Sequence, residues 1–246
     1  MASMILTFIL ASFIGLLPII LWLIFFLWQD INKPEPLKWL LILFLLGAII
    51  TPFVGIIENY LLKLFKINTL GSLSFPVAIL ACLIIAIIEE LAKFFTTTIA
   101  LKKNKYFDEA IDAMIYLIVL ALGFGAVENI LVAFQEIMLG ASFLPTLQLI
   151  SLRFVGANLL HAISSGTIGF FWALSLVTDK KRYLSIGLFL GISLHWLFNI
   201  AIIKLGSDAI FIISLVLFFT CIFLLWAFDI LKQIQKPINP KNKLII

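Results

Sequence analysis

The sequence predicts an all-α, polytopic membrane protein: a transmembrane bundle of about seven helices, N-terminus outside and C-terminus in the cytoplasm. Three observations predict it. Of the 246 residues, 63% are hydrophobic and 12% charged, whereas a soluble domain carries about a quarter charged residues. Apolar runs recur along the whole chain, each near the ~20 residues a helix needs to cross the ~30 Å hydrocarbon core. Lysine and arginine fall mostly in short segments between those runs. No Gly/Ser-rich or long polar segment sets off a soluble part, so residues 1–246 read as one membrane domain with a basic cytoplasmic tail over 231–246.

The first helix is expected from Met4 to Trp28; it lacks the basic start and the cleavage site of a signal peptide and reads as an anchor. A polar loop, Asp30–Lys38, holds the Lys33-Pro34-Glu35-Pro36 turn, which keeps the chain extended before the second helix, Trp39–Leu61. The third is Phe75–Leu101 and the fourth Ile111–Phe134. Gly140 and Pro145 mark a connector, so the fifth starts between Thr146 and Gly156 and ends near Val177. The sixth is Leu184–Leu205 and the seventh Asp208–Ile230.

The basic residues support this count. One side collects Lys33, Lys38, Lys102, Lys103, Lys105, Lys180, Lys181, Arg182, Lys232, Lys236, Lys241 and Lys243, which makes twelve. The other has Lys63, Lys66, Lys204 and Arg153, which makes four. Positive charge concentrates on the cytoplasmic side of a membrane protein. The net charge of +4 is therefore a topology signal, and no nucleic-acid partner is expected. Arg153 is expected to snorkel to the outer interface, where Glu58 is expected at a solvated helix end. Trp28, Trp39, Tyr60 and Tyr183 read as interfacial anchors. Gly187-x-x-x-Gly191 is a weak helix-packing signal. Cys82 and Cys221, far apart in apolar runs, read as packing residues.

Against this background Glu89-Glu90-x-x-Lys93, in the middle of the third run, stands out. A charged side chain at the bilayer centre costs about 2.5–3.5 kcal/mol on insertion scales, and such groups usually face the bundle interior and mark a site. At ~1.5 Å per residue, Glu90 lies ~18 Å from the Lys102 end and His195 ~20 Å from Arg182. By the same rise Glu128 lies ~24 Å from Asp112 and His161 ~27 Å from Asp179. Four polar positions on four helices thus fall in one layer, from mid-membrane to the outer half. His195 and Asn199 share a helix face, and Asn158, His161 and Ser165 form a stripe on another.

Two hydrolytic chemistries suit this set. Histidine and carboxylate ligands could hold a zinc-like divalent ion with an open position for water. Alternatively, a buried glutamate could activate water directly, with His195 and Asn199 steadying the oxyanion. HExxH is absent, so local spacing alone does not specify a metal. The same charges would also suit a proton or ion relay in a transporter, or a structural ion pair.

The motifs match a known family. Glu89-Glu90-x-x-Lys93, Phe124-x-x-x-Glu128-Asn129, His161 followed by small residues, and His195-x-x-x-Asn199 resemble the signature of the PrsW-type intramembrane proteases, which share a clan with CAAX-processing endopeptidases. The acidic, proline-containing segment Asp30–Pro36 is also similar, and the resemblance covers roughly residues 30–200. It implies a multi-pass enzyme of the inner (plasma) membrane that cuts membrane-anchored proteins, with the first cut in an anti-sigma factor as the namesake role. By carry-over Glu89 would be the water-activating base, Glu90 its partner, and His195 with Asn199 the oxyanion- or metal-binding pair. Lys93, Asn129, Asn158 and Ser165 would support them. CAAX-processing relatives carry His at the position of Glu128; this departure moves the second histidine role to His161 and makes Glu128, His161 and His195 the expected metal set. A clan member acting on lipidated peptides is the alternative within the resemblance.

Overall fold

The computed structural model describes residues 2–30, 33–64, 74–205, 210–234 and 238, and every regular element among them is helical. Helix α1 (Ala2–Leu27) ends in a 3₁₀ turn at Trp28–Asp30. It is followed by α2 (Leu37–Leu64), α3 (Phe75–Leu101), α4 (Asp112–Met138), α5 (Phe143–Arg153), α6 (Leu159–Thr178), α7 (Arg182–Leu205) and α8 (Ile210–Gln233). Among the described residues, seven stretches are long and apolar enough to cross a membrane, with residues 143–178 counted as one. The chain is a multi-pass membrane protein.

The sequence cues act where expected. Pro36 precedes α2 and accepts the Trp39 N–H through its carbonyl, at 2.8 Å. Pro76 sits in the first turn of α3, where its missing N–H has no helical partner to lose. The fifth span departs from expectation. It starts at Phe143, places Pro145 in the first turn of α5, and passes through a π-helical turn at Phe154–Asn158 into α6. A first-turn proline is compatible with a helix. Polar Gln148, Ser151 and Arg153 thin the apolar pattern there, so the sequence reads as a connector.

Helix α4 is the axis of the bundle. Every residue from Ala113 to Leu122 is at most 1% exposed, with α1, α2 and α6 packed around it and α3 and α7 completing the group through each other and α6. Small residues set the spacing. A Cβ on Gly47 would collide with the Leu120 carbonyl, and one on Gly123 with the Phe44 carbonyl, so α2 and α4 meet backbone to backbone. Gly187 and Gly191 do pack α7 onto α6: a Cβ would come within 2.6 Å of Phe171 Cβ at the first and 2.8 Å of the Ser164 carbonyl at the second.

The end of the bundle where α2 begins and α3 ends is tied by polar contacts. Asp112 Oδ2 accepts the backbone N–H groups of Asp108 (2.9 Å) and Glu109 (2.7 Å). Lys33 pairs with Glu109 and Asp108, the Tyr116 hydroxyl donates to Glu35, and the Ile238 N–H donates to the Asp108 carbonyl. Burial, with the Asp112 charge adding to it, pushes the Glu35 carboxyl up to about 9. Lys38, Lys102, Lys103 and Lys105 lie at this end with Lys33, and Lys63 and Lys204 at the other. Lys66, Asp208, Lys236, Lys241 and Lys243, which the charge count and the helix assignment used, lie outside the described residues, as does most of the expected tail.

The close crossing of α2 and α4 yields a stability prediction. Gly123→Val drives side-chain atoms into the Phe44 backbone and is expected to cost about 1–3 kcal/mol, read as a lowered thermal midpoint of the detergent-solubilised protein. A midpoint equal to the parent's would overturn this account of the crossing.

Candidate active site

Glu89, Glu90 and Lys93 share one face of α3, because positions three and four apart meet on a helix. Lys93 is fully buried. Its Nζ lies 2.8 Å from Glu90 Oε1, 3.3 Å from Glu89 Oε2 and 2.9 Å from His161 Nδ1, and 4.6 Å above the Phe124 ring. A buried ammonium is tolerable only when its charge and its protons are matched in this way.

Two imidazoles flank this cation in mirrored fashion. His161 of α6 places Nε2 2.9 Å from Glu128 Oε2 and turns Nδ1 toward Lys93 and Glu89, the latter at 3.9 Å. His195 of α7 places Nδ1 2.8 Å from Glu90 Oε1 and Nε2 3.8 Å from Glu89 Oε2. The rings meet edge to face at 5.3 Å. In each ring one nitrogen lies against a carboxylate and the other faces inward, His161 Nδ1 toward Lys93 Nζ and Glu89 and His195 Nε2 toward Glu89. Gly125 permits this seating: a Cβ there would stand 3.2 Å from His161 Cδ2.

Glu89, His161 and His195 each offer one ligand atom, all within 4.8 Å of one another and all on buried residues. Two imidazoles and a carboxylate, each imidazole backed by a second carboxylate, fit a catalytic divalent metal site in number, type and outer partners. Glu128, which belongs to the expected ligand set, stands behind His161, and Glu89 is the carboxylate grouped with the two histidines.

A cavity of about 690 Å³ opens onto these groups, lined by Glu89, Glu128, Arg153, His161, His195 and Asn199 among others. The adjacent carboxylates are unequal. Glu89 faces the cavity, whereas Glu90 is 0% exposed, with Oε1 held by Lys93 and His195 and Oε2 by the Ser165 hydroxyl at 3.0 Å. Asn158 is buried beside His161, and neither of its amide atoms makes a hydrogen bond.

Sequence reasoning misplaced two groups. Arg153 does not snorkel: its Nη2 lies 3.0 Å from Glu128 Oε2 and its Nε donates to Asn129 Oδ1 at 2.7 Å, while Asn129 Nδ2 donates to the Gly15 carbonyl of α1 at 3.1 Å. Arg153 and His161 both reach Glu128, although residues 153 and 161 would be offset by about 80° on a regular helix; the π turn between them takes up much of that offset. Glu58 is not at a solvated helix end but lines the same cavity, half-buried, with Asn59. A signal for it was present: Gly55-x-x-Glu58-Asn59 echoes Gly125-x-x-Glu128-Asn129.

Comparison with known proteins agrees with this geometry. The profile of the family described as PrsW family intramembrane metalloprotease matches residues 35–226. Two curated relatives are each called Protease PrsW. The one from Clostridioides difficile (strain 630) is 27% identical over 234 residues, covering 94% of this chain and 92% of its own. The one from Geobacillus kaustophilus (strain HTA426) is 27% identical over 190 residues, covering 75% and 76%. No solved structure matches the chain significantly.

The paired ammonium gives a sharp test. Lys93→Met leaves Glu89 and Glu90 without their shared cation and is expected to cost about 3–5 kcal/mol; adding Glu90→Gln should return part of it. Thermal unfolding in detergent measures both, and parent-like stability of Lys93→Met alone would refute the ammonium's structural role.

Proposed function

The chain belongs to the PrsW family of intramembrane metalloproteases, hydrolases of the membrane, and we propose that it cuts membrane-anchored proteins with Glu89 as the base that activates water. The unequal placement of the adjacent carboxylates carries this assignment: Glu89 reaches the cavity, and both oxygens of Glu90 are taken. Lys93, His161 and His195 stand around Glu89 Oε2, which leaves Oε1 to accept a proton. The hydroxide so formed attacks the scissile carbonyl carbon. Glu89 then returns its proton to the leaving amine as the C–N bond breaks. Asn199, one turn beyond His195 and lining the cavity, would donate to the oxyanion. Glu90 is a positioning residue: it orients His195 and shares the charge of Lys93.

Glu89, His161 and His195 would hold a divalent ion of the zinc type, which when bound supplies a polarised carbonyl and an acidified water. With the lysine-rich end in the cytoplasm, as the charge asymmetry favours, the site lies in the outer half of the cell membrane. The substrate class that suits this position is a single-pass protein, and the resemblance of the motifs favours an anti-sigma factor cut first in stress signalling.

Proteoliposomes holding the full chain and a co-reconstituted single-pass anti-sigma factor provide the assay. Glu89→Gln is expected to lower cleavage by about 10²–10⁴-fold with the fold intact by circular dichroism; full cleavage by this variant would sink the assignment. Metal content offers a readout that does not depend on activity. About one divalent ion per chain is expected in the parent and almost none in a His161→Ala/His195→Ala double mutant. Equal content in the two would remove these histidines from any ligand set.

A further inference from the structure

Glu58 has no part in the chemistry above, yet it lines the reaction cavity from α2. Its Oε1 is sealed from solvent and makes no hydrogen bond. Every other carboxylate lining the cavity has a cation: Glu89 has Lys93, and Glu128 has Arg153. Among the described residues Glu58 has no ion-pair partner, and the charged groups of the lining are Glu58, Glu89 and Glu128 against Arg153 alone. A carboxyl group with one oxygen sealed from water and no counter-charge is poorly matched, and a cation that arrives with a ligand relieves that mismatch.

We propose that Glu58 is a specificity residue that binds a lysine or arginine side chain of the substrate. This deepens the proteolytic reading and rests on it. The surroundings suit such a side chain, because apolar Ile85, Val132 and Ile202 share the cavity and would take the methylene stem while Glu58 takes the charged head. The place along the substrate follows from the helices. Glu58 borders a small void together with Ala81, Ile84, Ile85 and Ile88 of α3, and Ile85 lies one turn before Glu89, ~6 Å along the axis. An extended chain covers that distance in about two residues. The basic side chain therefore belongs two or three residues from the scissile bond, on the side toward the end where α2 finishes and α3 starts.

The experiment uses the full chain in proteoliposomes and three synthetic single-pass peptides, identical except for Arg, Gln or Glu at that position. The parent is expected to cut the Arg peptide with a kcat/KM about tenfold above the Gln peptide, chiefly through KM. In Glu58→Gln the ratio should fall to within about twofold, and in Glu58→Arg the Glu peptide should become the preferred one. An Arg-to-Gln ratio in Glu58→Gln equal to the parent's would overturn the proposal. A binding arm separates this from failure of the proteolytic reading. Fluorescently labelled peptides are titrated into parent and Glu58→Gln protein in nanodiscs and followed by anisotropy. Should no peptide be cut, tighter binding of the Arg peptide to the parent, lost in Glu58→Gln, would support the cation site and leave proteolysis refuted. Equal binding of Arg and Gln peptides to the parent would refute the cation site whether or not they are cut.

Discussion

The site is arranged around one ammonium group. Lys93 sits at the centre of the bundle with no exposure, and its contacts reach Glu89 and Glu90 on its own helix, the Phe124 ring on α4 and His161 on α6. Glu90 carries the connection onward to His195 on α7. A buried charge left unmatched would cost several kcal/mol, so each neighbour is constrained in type as well as position. That constraint divides two adjacent glutamates. Glu90 is used up in matching Lys93 and His195, and Glu89 keeps a face to the cavity.

The polar groups of the site stand on helix interiors, and close packing holds the helices. Backbone-to-backbone contact at Gly47 and Gly123 fixes α2 against α4, and Gly187 and Gly191 fix α7 against α6. Gly125 lets the His161 ring lie on α4 within reach of Glu128. Sites carried on rigid elements hold their geometry better than sites on loops, which matters where ring nitrogens from two helices must both lie within 4 Å of one carboxylate oxygen on a third.

The irregular turn of the fifth span serves the same end. The π turn at Phe154–Asn158 rephases the fifth span so that Arg153 before it and His161 after it both meet Glu128. Arg153 then reaches α1 through Asn129 and the Gly15 carbonyl, while the Trp22 indole of α1 donates to the Phe154 carbonyl at 2.8 Å. A π turn leaves local backbone pairing imperfect, and here a side chain from another helix takes up one of those carbonyls.

The sequence by itself determined the number of spans and which helices would contribute to the polar layer, because membrane crossing is governed by length and hydropathy and height along a helix follows from helical rise. Charged residues inside apolar runs were legible as a site for the same reason: they are too costly to be incidental. What only the tertiary structure decided were relations between helices. Helix rotation placed Glu58 in the cavity, phase across a π turn sent Arg153 to Glu128, and packing chose Glu89 over Glu128 to stand between the inward nitrogens of His161 and His195. Periodicity along one chain fixes a residue's height and its neighbours on the same face. The direction that face points depends on which other helix packs against it, and that is a property of the folded bundle.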